Sequence, residues 1–329
     1  MTTLKLGELV LDVPFFQAAL SGYTDWAMRK LAKDFGCPLT LTGVMLAKSV
    51  ANPKVLRKSE FRPQEDEHPV GAQLLSRTPQ TMAKAARDCV AVGYDLIDLN
   101  FACPAPKVLR RKRGGAVLGE PDLVADILKA VKDVVDCPVL MKLRYGVNHK
   151  PDSEASFWQI VEQSISLGVD ALVIHGRTVG EKYRGKADWD ILQKVKQAFP
   201  QATIIGSGDV FTAIDAVDLM DRTGLDGIVA ARGAVGNPWL LRDLRSLFEG
   251  KPLPARPTLF EQKETLLYHF NMVLQLYTEK RAVGFFRKFA AGYAKAHPQR
   301  KTVLLAIMAA ITRQDLYDVV EQWYPDKMP

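Results

Sequence analysis

The chain has 329 residues, 47% of them apolar and 25% charged, and a formal net charge of +7. It lacks both the run of ~18 apolar residues that a membrane span needs and the cationic-then-apolar opening of a signal peptide, so we expect a cytoplasmic protein with no membrane attachment. The four cysteines show no CxxC spacing, which argues against a zinc site or a disulfide framework, and we predict no metal.

Eight short apolar segments bounded by Gly, Pro or Asp predict strands that are buried on both faces. The intervening segments carry apolar residues at three- and four-residue spacing, and several begin with Pro or Ser, which is typical of helices. Alternation of this kind predicts a (β/α)8 TIM barrel; a doubly wound sheet is less favoured because no GxGxxG follows the first strand. The predicted strands are 13–19, 39–45, 69–75, 94–100, 138–143, 170–175, 202–206 and 226–230.

The composition changes after the barrel, which we place at residues 1–250. KPLPARPT is a Pro-rich linker, and the residues beyond it show helical patterns alone. Residues 251–329 hold twelve Lys and Arg against seven Asp and Glu, and therefore most of the positive surplus. We predict that they form a small helical domain, and that the surplus favours a polyanionic partner.

Polar residues follow the predicted strands, at the ends where TIM barrels build their active sites. Each of these residues alone could be a solvated loop residue, but together they converge on one axis and predict a site there. From the third strand to the eighth, these residues are Gln73, Asn100 with Cys103, Lys142 with Arg144, His175 with Arg177, Ser207 with Gly208, and Arg232 with Gly233.

Glycines at the ends of the last two strands indicate a site for phosphate. Backbone N–H groups approach an anion closely where no Cβ intrudes, so Gly208 and Gly233, with Arg232 beside them, favour a phosphate-bearing cofactor over plain turns. Lys142 could donate to an anion or to a carbonyl that gains negative charge, such as the pyrimidine edge of a reduced flavin. A Schiff-base lysine and a simple ion pair remain open alternatives.

Cys103 differs from the other three cysteines in its position. It lies between a strand end and Pro104, and cations follow it at 107–113. A thiol in such a loop can act as a nucleophile or as a general acid. Because no His or Asn beside it in sequence suggests a protease-like pair, proton donation is the favoured role.

At this point the chain resembles a known family over nearly its whole length, the flavin-dependent tRNA-dihydrouridine synthases. The resemblance implies a cysteine that protonates C5 of uracil on a loop that RNA must reach. The motifs that carry the resemblance are GAQLLSRTP, DLNFACPAPKV, VLMKLRYG, HGRTVGEKYRGKADW, GSGDV, ARGAVGNPW and, in the tail, FFRKFAAGYAKAHP.

The resemblance also implies a set of roles. Cys103 would be the catalytic acid, NADPH would reduce FMN, and the protein would bind tRNA as a monomer. Asn100 would position the target base, and the other predicted substrate contacts are Lys107, Arg144, Arg177, Arg287 and Lys288. The predicted FMN contacts are Ala19, Leu20, Gln73, Lys142, His175, Ser207, Gly208, Asp209, Ala231, Arg232 and Gly233.

Two alternatives accompany this interpretation. One is a flavin barrel of the dihydroorotate dehydrogenase kind that acts on a free pyrimidine, although such an enzyme needs neither the basic tail nor the RRKR segment. The other is a family member that has lost its reaction and kept RNA binding. The second is motivated by departures from the family pattern, namely Ala19, Leu20, Ala102, Ser207 and Ala231.

Overall fold

A computed structural model describes residues 3–58 and 61–325. Parallel strands occupy eight positions around a closed barrel. The barrel closes because β3 pairs with both β4 and β11, and β4 also pairs with β6. This confirms the predicted TIM barrel. The strands are β1 (Leu4–Leu6), β2 (Leu9–Leu11), β3 (Phe15–Gln17), β4 (Thr40–Leu41), β5 (Met45–Leu46), β6 (Val70–Leu75), β7 (Leu96–Asn100), β8 (Val139–Arg144), β9 (Ala171–His175), β10 (Ile204–Ser207) and β11 (Gly227–Ala230).

Two parts of the sheet differ from the predicted strands. The predicted strand 39–45 is two short strands, β4 and β5, because the chain between them turns to let the Gly43 amide donate to the Thr24 carbonyl at 2.9 Å. The antiparallel hairpin β1–β2 was not predicted. It closes the amino end of the barrel by burying Leu4, Leu6 and Leu11 among the inward-facing residues of the strands.

Helices surround the barrel and begin at residues suited to helix starts. Proline is the first residue of five of them, and the Asp25 carboxylate caps α1 by accepting from the Met28 amide at 3.1 Å. The helices are α1 (Trp26–Asp34), α2 (Ala47–Val50), α3 (Pro53–Leu56), α4 (Pro79–Ala91), α5 (Pro106–Leu109), α6 (Pro121–Lys132), α7 (Pro151–Ser166), α8 (Trp189–Ala198), α9 (Ala213–Thr223) and α10 (Trp239–Phe248).

The tail is helical, as predicted. Its core of Phe270, Phe286, Phe289 and Tyr293 continues into α1 of the barrel through Met28. The division into separate domains at 250/251 stays a prediction. Within the described ranges, no helix is long and apolar enough to cross a membrane. The tail helices are α11 (Leu259–Leu276), α12 (Glu279–Phe286), α13 (Ala290–Lys295), α14 (Arg300–Ala309) and α15 (Arg313–Trp323).

Candidate active site

A cavity opens at the carboxyl ends of the barrel strands and encloses about 1010 Å³, its open mouth included. We call it the strand-end cavity. Across residues 3–58 and 61–325, no cluster of three or more His, Cys, Asp or Glu suits a metal ion. The predicted site residues that line the cavity are Ala19, Leu20, Gln73, Asn100, Cys103, Lys142, Arg144, His175, Ser207, Gly208, Asp209, Ala231, Arg232 and Gly233.

A chain of buried side-chain amides joins β6 and β7 on one wall of the cavity. Gln73 Nε2 donates to Asp98 Oδ2 at 2.7 Å, and Asn100 Nδ2 donates to Gln73 Oε1 at 2.6 Å. Asn100 Oδ1 accepts the backbone N–H groups of Ala102 and Cys103 at 3.1 and 3.0 Å. Since a carboxylate only accepts hydrogen bonds, Asp98 fixes the orientation of both amides and, through them, the start of the Cys103 loop.

Asp98 and Lys142 are the two charged groups of this wall. Burial raises the pKa of Asp98 to about 6, opposed by the hydrogen bond from Gln73 and by the charge of Lys142. Burial lowers the pKa of Lys142 to about 7, and Arg144 adds to the decrease. Asp98 Oδ1 is buried without a hydrogen-bond partner in the described part of the chain. The ammonium of Lys142 approaches the Val173 carbonyl at 3.5 Å, which leaves its other N–H groups to face the cavity.

His175 lies at the end of β9, the strand paired with β8, and stays neutral at ordinary pH. Burial and the surrounding cations, Lys142 first among them, lower its pKa to about 2. The Arg177 guanidinium lies 3.3 Å from Nε2, and the Ser207 hydroxyl lies 3.4 Å from Nδ1. Because a guanidinium only donates, Nε2 accepts, and the ring proton resides on Nδ1.

The structure gives Arg144 and Arg177 extensive contacts within the protein. Arg144 donates to the carbonyls of Ala102, Thr178 and Lys182 at 2.7–3.0 Å. Arg177 is 2% exposed, donates to Asp209 at 2.7 and 2.9 Å and bonds two further backbone carbonyls. Their predicted substrate contacts stay predictions. What the geometry supports is a positioning role for both guanidinium groups.

Close packing explains the glycines after β10 and β11. A Cβ on Gly208 would lie 2.7 Å from the Ala187 Cβ, and Gly208 has a φ of +125° that side chains disfavour. A Cβ on Gly233 would lie 2.5 Å from the Val210 carbonyl oxygen. Arg232, beside them, is held over the Tyr183 ring at 4.4 Å and lies 3.6 Å from an Asp209 oxygen.

Cys103 lies at the mouth of the cavity and is only partly buried. The glycines that follow the basic segment pack against it, since a Cβ on Gly114 would meet the Cys103 Cβ at 2.9 Å. Lys107 lies on the exposed helix α5 behind this loop and does not line the cavity. Burial raises the pKa of the other three thiols, that of Cys37 to about 12, which fits an inert role for them.

Arg287 and Lys288 lie at the end of α12, apart from the cavity lining. Arg287 Nη1 donates to the Met308 carbonyl at 3.3 Å. Lys288 Nζ donates to the Gly22 carbonyl at 3.3 Å and lies 4.4 Å from the centre of the Phe285 ring. Besides carrying charge, Arg287 therefore bonds α12 to α14, and Lys288 bonds the tail to the barrel loop before α1.

Asp98 and Tyr183 are among the lining residues that sequence reasoning missed. Asp98 belongs to the predicted strand 94–100, where an acid inside an apolar run was a usable signal. Tyr183 belongs to the quoted HGRTVGEKYRGKADW segment, but its position between Arg144 at 5.3 Å and Arg232 at 4.4 Å depends on the folding of that loop.

The fold and the cavity define a TIM barrel with a fixed amide wall, a thiol at the mouth and closely packed glycines after β10 and β11. A sequence profile described as dihydrouridine synthase matches residues 16–325. Among curated proteins, tRNA-dihydrouridine synthase B of Pasteurella multocida is 35% identical over 294 residues, covering 88% of this chain and 86% of that protein. tRNA-dihydrouridine synthase B of Pseudomonas putida is 32% identical over 307 residues, covering 92% and 88%. The chain therefore belongs to the dihydrouridine synthase family, which confirms the predicted family.

Solved structures support the barrel. Histamine dehydrogenase from Rhizobium sp. 4-9 matches with a TM-score of 0.57 at 15% identity, covering 82% of this chain and 50% of that one. 6-Hydroxypseudooxynicotine amine oxidase from Pseudomonas geniculata N1 matches with a TM-score of 0.59 at 12% identity, covering 81% and 52%. The chain thus spans about half the length of these structures, and the likeness concerns the fold alone.

Proposed function

We propose that the protein reduces uridine to 5,6-dihydrouridine in tRNA, using FMN that NADPH has reduced. The observation that carries this proposal is the hydrogen-bonded chain from Asp98 through Gln73 and Asn100 to the backbone of Cys103. It brings a fixed base-binding amide and a partly exposed thiol to one cavity, as reduction across the C5–C6 bond of a pyrimidine requires. Family membership and the names of the relatives support the same reaction.

The residues present fit a flavin mononucleotide. The half-buried ammonium of Lys142 suits the pyrimidine edge of the flavin, which gains negative charge on reduction, and the neutral His175 ring lies on the neighbouring strand. Gly208 and Gly233, with the cation of Arg232, suit the phosphate. The buried, unpartnered Asp98 Oδ1 marks a polar position in this wall that the protein alone does not satisfy.

When bound, the reduced flavin would supply the hydride that C6 of uracil receives in the proposed reaction. Asn100 Nδ2 has a second N–H beyond the one given to Gln73, and this N–H can donate to a carbonyl of the base. As C6 gains the hydride, negative charge develops across C5 and the C4 carbonyl. The Cys103 thiol transfers its proton to C5, and solvent at the open mouth reprotonates the thiolate. Atoms and charge balance with one hydride and one proton added.

The cavity is deep enough that a base must leave its stack to enter it, so the RNA must be open or deformed at the target. Cations around the mouth and on the tail suit the phosphates that flank such a nucleotide. The experiment that tests the proposal uses protein with bound FMN, NADPH, tRNA lacking dihydrouridine, and free uridine. We expect NADPH-dependent dihydrouridine in tRNA and none from free uridine. Flavin reduction without a reduced nucleotide in any tRNA would contradict the proposal.

A further inference from the structure

A second pocket lies between the barrel mouth and helix α12 of the tail. We call it the junction pocket; it encloses about 1080 Å³ with its opening. It shares the wall residues Ser21 and Val44 with the strand-end cavity, so the two spaces adjoin. A chain whose base enters the strand-end cavity can therefore place a neighbouring unit at this second opening.

The lining of the junction pocket combines flat surfaces with cations. The Arg281 guanidinium lies over the Tyr277 ring at 4.2 Å, and the Tyr277 hydroxyl is anchored on Asp25 Oδ2 at 3.0 Å. Tyr23 stands edge-on against a buried tail ring, and Lys288 is held at the rim by the Gly22 carbonyl. Guanidinium planes and aromatic rings stack nucleobases, while a cation at the rim suits the phosphate that joins two nucleotides.

Glycine leaves this pocket open. Gly284 lies inside α12 and lines the pocket, although glycine weakens a helix interior. A Cβ there would meet nothing closer than the end of the Arg287 side chain at 3.7 Å, an ordinary contact. The backbone at Gly284 therefore accepts a side chain, and the space that a larger one would occupy is the pocket itself.

We infer that the junction pocket binds the nucleotide directly next to the target uridine, stacking its base and pairing its phosphate with the rim cation. This inference rests on the proposed function, since the uridine in the strand-end cavity defines which nucleotide is its neighbour. The protein would then contact two adjacent nucleotides: the uridine that it reduces and the neighbour that it binds.

The test measures binding to the FMN-loaded protein by fluorescence anisotropy. The probe is the single-stranded RNA pentamer AAUAA, with two analogues that carry an abasic residue on one or the other side of the uridine. The variant Gly284→Leu fills the pocket, and Gly284→Ala is the matched control that leaves it open. Circular dichroism and flavin content verify that each variant is folded.

The wild-type protein and Gly284→Ala should bind one of the two abasic pentamers about 5- to 150-fold more weakly than AAUAA, the range that stacking of one base contributes. Gly284→Leu should bind AAUAA as weakly as wild type binds that abasic pentamer. It should therefore bind AAUAA and that abasic pentamer with the same affinity. Should Gly284→Leu fail to fold, Arg281→Met provides the second variant, with the same expected loss of discrimination.

The inference would be overturned if the wild type bound all three pentamers with equal affinity. It would also be overturned if the folded pocket variant discriminated between the pentamers as strongly as wild type does. Absence of pentamer binding counts against it equally. Dihydrouridine formation in tRNA is measured separately, so the two ideas fail in distinguishable ways. A protein that discriminates between the pentamers but reduces no tRNA would keep the junction pocket and lose the proposed reaction.

Discussion

The strand-end cavity and the tail both carry Lys and Arg, but they hold these cations in opposite ways. Arg144, which lines the cavity, and Arg177, which contacts the lining residue His175, are 3% and 2% exposed, and backbone carbonyls or Asp209 occupy their donors. In the tail, Lys295 and Arg300 are exposed, and in the described residues neither makes a side-chain hydrogen bond or ion pair. Preorganised polar groups of the first kind act on charge that develops in a reaction, whereas exposed cations act on charge already present on a partner.

The difference predicts different experimental signatures. A substitution in the cavity should change the reaction strongly and depend little on salt, because its groups are shielded from solvent. A substitution in the tail should change binding modestly and depend strongly on salt. The following predictions test this contrast.

The largest effect is expected for Cys103→Ala. Removal of the proton donor should lower the turnover of tRNA by about 10²–10⁴-fold, the range for loss of a general acid. FMN content and its reduction by NADPH should stay normal, because the thiol lies at the mouth of the cavity. Single-turnover kinetics with tRNA measure the first effect and flavin absorbance the second. Turnover near the wild-type rate would remove Cys103 from the mechanism.

Lys142→Met should be next, with hydride transfer slower by about 10²-fold because a donor to developing negative charge is lost. The pKa of Lys142 is lowered to about 7, so the free amine is mostly neutral at pH 8. An anionic ligand raises this pKa again, and FMN binding at pH 8 should therefore take up a proton. Little uptake should occur at pH 6, where the amine is already charged.

Calorimetry of FMN binding in two buffers of different ionisation enthalpy measures this proton. The wild type should show the uptake at pH 8, and Lys142→Met should not. Equal proton uptake by the two proteins would show that another group responds to the flavin.

Asp98→Asn should slow the reaction less than Lys142→Met does, and it should make the folded protein more stable at high pH. An asparagine can reverse the amide orientation of Gln73 and loosen the Cys103 loop, so turnover should fall roughly tenfold, less than the about 10²-fold cost of misplacing a reacting group by 1 Å. The pKa of Asp98 rises from 3.8 to about 6 on folding, so the buried carboxylate costs stability above pH 6, up to ~3 kcal/mol.

Removing this carboxylate should raise the thermal unfolding midpoint at pH 8 and leave it nearly unchanged at pH 4, where the folded wild type is protonated. Calorimetric scans at the two pH values check the sign. A midpoint that falls equally at both would show that the hydrogen bond to Gln73 outweighs the burial of charge.

Some of these site residues could be predicted from the sequence, but their contacts could not. Gln73, Asn100 and Lys142 were predictable because buried parallel strands leave apolar runs, and each of these residues breaks or follows such a run within two residues of the strand's carboxyl end. The contact between Gln73 and Asp98 depends on sheet register, in which the two residues are paired across β6 and β7. One sequence does not reveal register.

Other features depend on contacts that are more distant in the chain. Tyr277 reaches Asp25 across 252 positions, so no local pattern could have predicted the junction pocket. The hairpin β1–β2 was missed because its strands have three residues each, too few to show a period. The tail aromatics were easier: the helical spacing of Phe285, Phe286, Phe289 and Tyr293 indicates that some of them pack inward, and the last three are buried.

The smallest effect is expected in the tail, and it tests the second half of the comparison. We predict that exposed cations on α13 and α14 contact tRNA phosphates, and that each lost contact reduces the salt slope of binding by roughly 0.7–0.9. The triple variant Lys295→Gln, Arg300→Gln and Lys301→Gln removes three charges outside the junction pocket. Its slope of log affinity against log salt should therefore be shallower by about 2.

A matched control separates contact from net charge. Lys5, Lys129 and Lys194 are exposed on the barrel, on its amino-end hairpin and on the outer helices α6 and α8. Their replacement by Gln lowers the net charge equally but should leave the slope nearly unchanged. Filter binding of tRNA between 50 and 200 mM salt, the range over which such contacts lose most of their strength, measures both variants. Equal slopes for the two triple variants would mean that tRNA responds to the overall charge of the protein, and that the tail is not its docking surface.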